Sequence, residues 1–281
     1  MPLVPLSRLI SRHAQQGKGL GAFNVIHLEH AQRFIEAAER VGQPIVLQIS
    51  ENAVKYHSSL APIAAGTIAA AKNATVPVVV HLDHAESVPL IRDAVHIGFS
   101  SVMYDGAALP FEENVKTTRE VVDFCHRWGV SVEAELGEVG GKDGAHAPGV
   151  RTDPAEAADF VERTGVDALA VAVGSSHAMT ERNATPDFEL ITRLAEAVPV
   201  PLVLHGSSGV SDEGMRAAIE AGITKVNVST HLNVLSTGQI RELLGENPQL
   251  VDPRKFIGPA TEVAGKEVER LLEWYAGSAV V

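Results

Sequence analysis

The chain has 281 residues, 45% hydrophobic and 21% charged, so it can bury a sizeable core and is not globally disordered. Its formal net charge of -12 offers no basic surface for nucleic acid or an anionic membrane. Cys125 is the only cysteine, which excludes an intrachain disulfide and favours a reducing compartment, so we predict a cytoplasmic protein. Prolines and arginines interrupt the N-terminal apolar stretch, and the most apolar window, 60–71, is too short to cross a bilayer. We therefore predict neither an export signal nor a membrane span.

Short β-branched runs alternate with segments of helical period, which is typical of a parallel α/β fold. The predicted strands are 20–25, 45–50, 76–83, 101–106, 131–137, 168–174, 201–206 and 223–230. Eight strands are the number that a closed (β/α)8 TIM barrel requires. A doubly wound open sheet is the alternative, but the Gly-rich dinucleotide motif is missing after the first strand.

Predicted helices lie between these strands. They are 29–40, 87–96, 111–128, 153–163, 188–197 and 211–221, with another expected over the window 60–71. Asp153 before Pro154, and Ser211 before two acidic residues, are typical helix starts. The chain after His231 is expected to form one or two more helices. No linker is evident, so we predict one domain, 1–281, comprising the barrel and a C-terminal helical extension.

One connection, 138–152, is far longer than the two to six residues that usually join a strand to a helix. On the face of a barrel where the strands end, such a loop is more often a mobile lid or substrate loop than idle surface.

Three histidines follow different predicted strands at the edge where barrel enzymes carry their active sites. His84 ends the third strand, His177 follows the sixth and His205 ends the seventh. A single histidine is more often a surface or core residue. Three imidazoles that converge on one rim, however, can hold a metal ion with an open coordination position.

Carboxylates stand beside this predicted metal site. Asp83 precedes His84 and is placed either to transfer a proton or to orient an imidazole, and spacing alone does not decide between the two. Glu133 and Glu135 share one face of the fifth strand and need buried partners such as the cation, its histidines or Lys225. We predict that Glu135 takes part in metal binding.

Gly-Ser and Asn-Ser-Thr segments follow the seventh and eighth strands, at 206–209 and 227–230. Barrels commonly bind phosphate in these two loops through backbone N–H groups and hydroxyls. We therefore predict a phosphate site there.

Several longer motifs carry a resemblance to a known family. They are His81-Leu82-Asp83-His84, Val132-Glu133-Ala134-Glu135-Leu136-Gly137, Val203-Leu204-His205-Gly206-Ser207-Ser208-Gly209 and Lys225-Val226-Asn227-Val228. Ala22-Phe23-Asn24 and Asp252-Pro253-Arg254 extend the match towards the two ends. Together they resemble the class II fructose- and tagatose-bisphosphate aldolases over essentially the whole chain.

The resemblance implies one zinc ion held by His84, His177 and His205, with Asp83 moving the proton of the hydroxyl at the bond to be broken. Zinc would polarise the ketone and stabilise the enediolate of dihydroxyacetone phosphate. By the same resemblance, the phosphate and enediolate would be held by Gly206, Ser208, Asn227, Ser229 and Thr230. Asn24 and Ser50 would line the site, and Arg254 would reach the distal phosphate unless it is simply an exposed turn residue. A homodimer or homotetramer is also implied.

Three positions depart from the family pattern. Ala178 replaces a glycine after the sixth-strand histidine, which bears on a possible monovalent-cation site. Asp143 stands on the long loop where relatives carry a glutamate that shuttles a proton, and it would substitute with a shorter reach. His231 replaces an acidic residue after the eighth-strand motif.

The predicted function is zinc-dependent aldol cleavage of fructose or tagatose 1,6-bisphosphate, as in glycolysis and related carbohydrate metabolism. The nearest alternative is the same chemistry on another phosphorylated ketose, from sugar-alcohol, inositol or sulfosugar catabolism. A metal-dependent hydrolase on the same barrel and a non-catalytic aldolase-like subunit are the other hypotheses.

Overall fold

Eight parallel strands form a closed barrel in the computed structural model, which describes residues 2–137 and 151–277. The strands follow one another in chain order, and the eighth pairs with the first to close the barrel. They are β1 Leu20–Asn24, β2 Ile45–Ser50, β3 Val78–Ala85, β4 Ser101–Tyr104, β5 Ser131–Leu136, β6 Ala168–Val171, β7 Leu202–Leu204 and β8 Ile223–Val228. The predicted (β/α)8 barrel is confirmed.

Helices cover the outside of the barrel. In the described ranges they are α1 Leu6–Gln15, α2 Leu28–Val41, α3 Glu51–His57, α4 Ala61–Asn73, α5 Val88–Ile97, α6 Phe111–His126, α7 Pro154–Thr164, α8 Phe188–Ala197, α9 Asp212–Ala221, α10 Thr230–Glu246 and α11 Arg254–Tyr275. The predicted starts are confirmed, because Asp153 accepts from two N–H groups of α7 and Ser211 accepts from one of α9. Sequence patterning did not predict α1 or α3, which are short and lie outside the regular alternation.

The inside of the barrel changes from apolar to polar along its axis. Alternate residues of each strand point inward. At one end α1 packs its apolar face against inward residues such as Leu20, Val46, Val79 and Val203. The other buried inward positions are charged or polar: Gln48, His81, Asp83, Glu133, Glu135, His205, Lys225 and Asn227. Because buried polar groups must find partners, this concentration marks the functional end of the barrel.

Strands β6 and β7 end earlier than the patterning predicted. They were expected to reach residues 174 and 206 but end at Val171 and Leu204. Gly174 and Gly206 have left-handed φ angles of 103° and 67°, which turn the chain out of the ladder towards the rim.

Strand β3 instead runs two residues beyond its predicted end, to Ala85. Its pairing with β4 shifts register between Leu82 and Ala85, and His84 within this irregular stretch has a φ of 48°. A left-handed histidine is an uncommon, strained conformation, and it re-aims the side chain relative to a regular strand.

Two helices follow the barrel, as expected for a C-terminal extension. Helix α11 packs across α2 and β1, and the carbonyl of Tyr275 accepts a hydrogen bond from the N–H of Gly19. Helix α10 buries Leu232 alone among its residues. Within the described part of the chain, no helix is both long and apolar enough to span a membrane.

Candidate active site

A cavity of about 340 Å³ opens at the end of the barrel where the strands finish. Small-molecule sites have this size and, in barrels, this location. Loops after β1, β2, β3, β6, β7 and β8 contribute its walls. The lining residues are Asn24, Gln48, Ser50, Glu51, Asn52, Lys55, Asp83, His84, Glu86, His177, Ala178, Gly206, Ser207, Ser208, Asn227, Ser229 and Thr230.

The structure brings the three predicted histidines together, with His84 and His177 lining this cavity and His205 buried beside them. Ring centroids are 4.5 Å apart for His84 and His205, 4.9 Å for His84 and His177, and 5.8 Å for His177 and His205. One nitrogen of each ring lies within 4.8 Å of the others. Such a group can hold one metal ion and leave a coordination position open.

Carboxylates fix the orientation of two of these rings. Nδ1–H of His84 donates to Oδ2 of Asp105 at 2.8 Å, which turns the other ring nitrogen away from the carboxylate. Nε2–H of His205 donates to Oε1 of Glu133 at 3.0 Å. Carboxylate partners of this kind set the tautomer of metal-binding histidines and raise their basicity.

The remaining nitrogen of His205 supports a metal site. Nδ1 is buried and lies 3.3 Å from Oε2 of Glu135 without the geometry of a hydrogen bond, and it makes no hydrogen bond to any other residue in 2–137 or 151–277. A buried ring nitrogen without a hydrogen bond is costly, and a metal ion would satisfy it. Three imidazoles are moreover a donor set that zinc favours. The residues present therefore fit a divalent transition metal.

Glu135 lies beside this histidine group and is fully buried. Its Oε2 is 3.3 Å from Nδ1 of His205 and 3.9 Å from Nδ1 of His84. Glu135 also forms, with His84 and Asp105, a second group whose atoms lie close enough to hold a metal ion. This position suits either a direct metal ligand or a carboxylate that orients the imidazoles.

Asp83 is almost fully buried at the wall of the cavity. Its Oδ1 accepts from Nδ2 of Asn227 at 3.1 Å, and its Oδ2 accepts from Nε2 of Gln48 at 3.4 Å. Burial alone would raise the pKa of Asp83, but His84 and Lys225 lower it below its usual value. The carboxyl group is thus ionised at neutral pH and available to accept a proton.

Neighbouring charges also shift the pKa values of His205 and His81, which are buried next to the cavity. Burial would lower the pKa of His205, but the carboxylates of Glu133 and Glu135 outweigh burial and raise it to about 9. His81 shows the opposite balance, since burial and the charge of Lys225 lower its pKa to about 3. Metal binding at His205 would compete with a proton, whereas His81 stays neutral.

The predicted phosphate loops meet at one side of the cavity. Ser207–Gly209 forms a single 3-10 turn before α9, and Ser207 donates its hydroxyl to the carbonyl of Asn227. Oγ of Ser208 accepts the N–H of His231 at 3.0 Å, which ties this turn to the start of α10. Gly206 lies against the backbone of Ser176, where a Cβ would come within 2.6 Å of the Ser176 carbonyl group. Turn and helix start thus bring backbone N–H groups and hydroxyls together in a compact cradle of a kind that can bind an anion.

Not every predicted residue joins the cavity. Asn24 and Ser50 line it, and Oδ1 of Asn24 accepts from Nε2 of Gln48 at 2.7 Å. Arg254 does not line it; its exposed guanidinium pairs with Asp252 at 2.9 Å on the C-terminal extension. Asp143 lies outside the described residues.

The other two unusual positions lie close to the site. Ala178 lines the cavity with a left-handed φ of 58°, a conformation that a glycine would adopt without strain. His231 is not among the cavity-lining residues, and its Nε2 donates to Oε1 of Glu267 on α11 at 2.8 Å. At this position the chain thus makes a contact with the C-terminal extension.

Two further residues that matter to the geometry were missed by sequence reasoning. Gln48 contacts both Asn24 and Asp83, and Asp105 holds His84. Gln48 stands two residues before Ser50 on the same face of β2, and Asp105 directly follows β4. Their polar character at inward or strand-end positions was a usable signal, although neither carries a motif of its own.

Comparisons with known proteins all identify aldolases as similar to this chain. The family described as "Fructose-bisphosphate aldolase class-II" matches residues 4–279. A "Probable fructose-bisphosphate aldolase" from Bacillus subtilis is 40% identical over 272 residues, covering 95% of each chain. The "Fructose-bisphosphate aldolase" of Thermus caldophilus is 38% identical, covering 97% of this chain and 98% of its own. The crystal structure of the YdjI aldolase from Escherichia coli K12 superposes with a TM-score of 0.86 at 32% identity, covering 99% of this chain and 98% of its own.

Proposed function

This chain belongs to the class II fructose-bisphosphate aldolase family, an aldehyde-lyase family of carbohydrate metabolism, and from that premise we propose the reaction of its site. The proposed reaction is reversible cleavage of fructose or tagatose 1,6-bisphosphate to dihydroxyacetone phosphate and glyceraldehyde 3-phosphate. The observation that carries this proposal is the group of three imidazoles, two of which line the same cavity as an ionised Asp83.

One zinc ion per subunit would be held by His84, His177 and His205. Bound there, zinc would act as the Lewis acid that polarises the ketone of the substrate. Asp105 and Glu133 keep two of the rings in the orientation that ligation needs. Glu135 would contribute as a metal ligand or as a carboxylate that orients the imidazoles. A monovalent cation is an additional proposal, to which the backbone at Ala178 contributes less readily than a glycine would.

Asp83 is proposed as the group that accepts the proton of the hydroxyl at C4. As that proton leaves, the C3–C4 bond breaks, the C4 oxygen becomes the aldehyde carbonyl, and the electron pair stays on C3 next to the ketone. Asn227 and Gln48 fix the carboxylate for this step through hydrogen bonds to its two oxygens. Completion of the ketose product requires a proton on C3, for which Asp143 of the long loop is the candidate.

The phosphate nearest the ketone is proposed to bind in the cradle after β7 and β8. Backbone N–H groups and hydroxyls there can donate hydrogen bonds to a phosphate. The proposed binding residues are Gly206, Ser208, Asn227, Ser229 and Thr230, with Asn24 and Ser50 contacting the sugar. Arg254, on an exposed surface, would contribute only to another subunit's site, which is consistent with a homodimer or homotetramer.

The alternatives differ in their products. Another phosphorylated ketose as substrate would be cleaved by the same residues. The departures from the family pattern at Ala178 and His231 support this second candidate. A hydrolase would release phosphate without breaking a carbon–carbon bond, and a non-catalytic subunit would have no use for the ionised Asp83. A cytoplasmic location, proposed from the single cysteine, fits a glycolytic reaction.

The decisive experiment measures cleavage of fructose and tagatose 1,6-bisphosphate by metal-stripped protein before and after zinc is restored. Formation of dihydroxyacetone phosphate only after zinc addition supports the proposal and identifies the better sugar. Absence of turnover of both sugars, with zinc bound at one equivalent, would shift the assignment to another phosphorylated ketose. Release of inorganic phosphate alone would support the hydrolase instead.

A further inference from the structure

Lys225 is a fully buried cation at the centre of the barrel interior. Its Nζ lies 2.8 Å from Oε2 of Glu133 and 2.8 Å from Oδ1 of Asn227. Buried ion pairs are expensive to form, and replacing both partners with neutral groups is often tolerated well. Fold stability is therefore a poor explanation for the presence of this lysine.

The contact with Asn227 determines which way that amide points. A carboxamide has a carbonyl acceptor on one side and an NH2 donor on the other, and rotation by 180° exchanges them. Because a lysine ammonium only donates, it requires the carbonyl of Asn227 to face it. The NH2 group is then turned towards Asp83, where Nδ2 donates to Oδ1 at 3.1 Å.

The reversed amide would be unfavourable at both ends. Its NH2 group would face the donor of Lys225, and its carbonyl would face the carboxylate of Asp83. Without the lysine, only the Asp83 contact would select the correct orientation, and the amide would be freer to rotate or to bond elsewhere. Asp83 would then lose a fixed partner on the oxygen nearest Asn227.

We propose that Lys225 is a positioning residue, which orients the Asn227 amide and through it holds the Asp83 carboxylate in place for proton transfer. The part that concerns proton transfer rests on the proposed function, whereas the orientation of Asn227 is independent of it. Lys225 is not among the residues that line the substrate cavity. Its effect should appear in kcat more than in KM, because the proposed substrate-binding residues other than Asn227 are unchanged.

The test compares K225M/E133Q with K225Q/E133Q, and both with E133Q. Each double variant removes both members of the Lys225–Glu133 pair, so neither is left buried without the other. Methionine and glutamine have similar length, but only glutamine can donate a hydrogen bond to Asn227. The matched control for loss of a Lys–Glu pair is K266M/E262Q. It removes a surface pair on α11 in which Nζ of Lys266 lies 3.6 Å from Oε1 of Glu262.

Both kcat and the solvent exchange of the Asn227 side-chain NH2 are expected to change in K225M/E133Q. The kcat of K225M/E133Q should fall about tenfold or more below that of K225Q/E133Q, with KM and bound zinc changed less than about threefold. In NMR spectra, the Asn227 side-chain NH2 should exchange with solvent faster in K225M/E133Q than in K225Q/E133Q, while K266M/E262Q matches the wild type in both readouts.

Equal kcat and equal NH2 exchange in the two double variants would overturn the proposal. If K225M/E133Q fails to fold, the kcat of K225Q/E133Q relative to E133Q still tests the proposal. A kcat within about threefold of E133Q supports the positioning role of Lys225. A kcat more than about tenfold lower, in a folded protein, contradicts it. If the wild type cleaves no ketose bisphosphate, the proposed function fails, but the exchange of the Asn227 NH2 still tests the orientation by Lys225.

Discussion

Oδ2 of Asp105 accepts a hydrogen bond of 2.8 Å from Nδ1 of His84 and thereby fixes the ring in the tautomer that leaves Nε2 for a metal ion. Asp105 is itself buried directly after β4, so this contact is shielded from water. It ties the strained end of β3 to the neighbouring strand.

Substitution D105A should weaken zinc binding about 10- to 100-fold, because His84 loses the partner that orients it and raises its basicity. The dissociation constant for zinc, measured by competition with a chelator, checks this. The control D123A removes an exposed aspartate that pairs with Arg119 on α6 and should leave zinc affinity unchanged. Equal affinities of D105A and the wild type would show that Asp105 does not support the metal site.

Substitution D83N should lower kcat about 10²- to 10⁴-fold, because the amide of nearly equal shape no longer accepts a proton. Zinc content should stay near that of the wild type, since the three histidines are untouched. Steady-state kinetics and metal analysis of the same samples test both statements. A loss of activity in proportion to a loss of zinc would instead give Asp83 a purely structural role.

Substitution G206A should destabilise the protein much more than G42A, although the two glycines have nearly the same φ, 67° and 63°. A Cβ at Gly42 meets no atom within 4 Å, so only backbone strain of about 1 kcal/mol is expected there. A Cβ at Gly206 would lie 2.6 Å from the Ser176 backbone, and the total cost should exceed about 3 kcal/mol. Urea unfolding midpoints of the two variants provide the comparison, and similar midpoints would contradict it.

Acid should weaken the attachment of α11 through Glu267. Burial would raise the pKa of Glu267, but Arg270 and His231 lower it to about 2. A carboxyl group with a depressed folded pKa stabilises the fold above its unfolded pKa, about 4.3, and this stabilisation is lost as the pH falls from there towards 2. After allowance for solvent screening the contribution is about 1 kcal/mol.

Substitution E267Q should therefore lower the thermal midpoint at pH 6 and lose most of that difference by pH 3. Thermal unfolding at both pH values measures the effect. Control E262Q, at the exposed partner of Lys266 on the same helix, should show no comparable pH dependence. An E267Q difference that is as large at pH 3 as at pH 6 would rule out this origin.

The long-range partners of the site residues were harder to predict than the residues themselves. Asp83 and His84 were evident as polar residues at the end of an apolar strand, but their partners Asn227, Gln48 and Asp105 come from other strands. For Arg254 the sequence left two readings open, a phosphate contact and an exposed turn residue, and the structure places it exposed beside Asp252.

By itself the sequence determined the alternation of eight strands with helices, hence the barrel, and placed His84, His177 and His205 on one rim. Periodicity and chain direction are local properties, and parallel strands bring all their ends to the same side. Tertiary structure alone decided that Lys225 of β8 meets Glu133 of β5 across the barrel interior. That pairing depends on barrel closure and on the register of every strand between them, and no local pattern encodes either one.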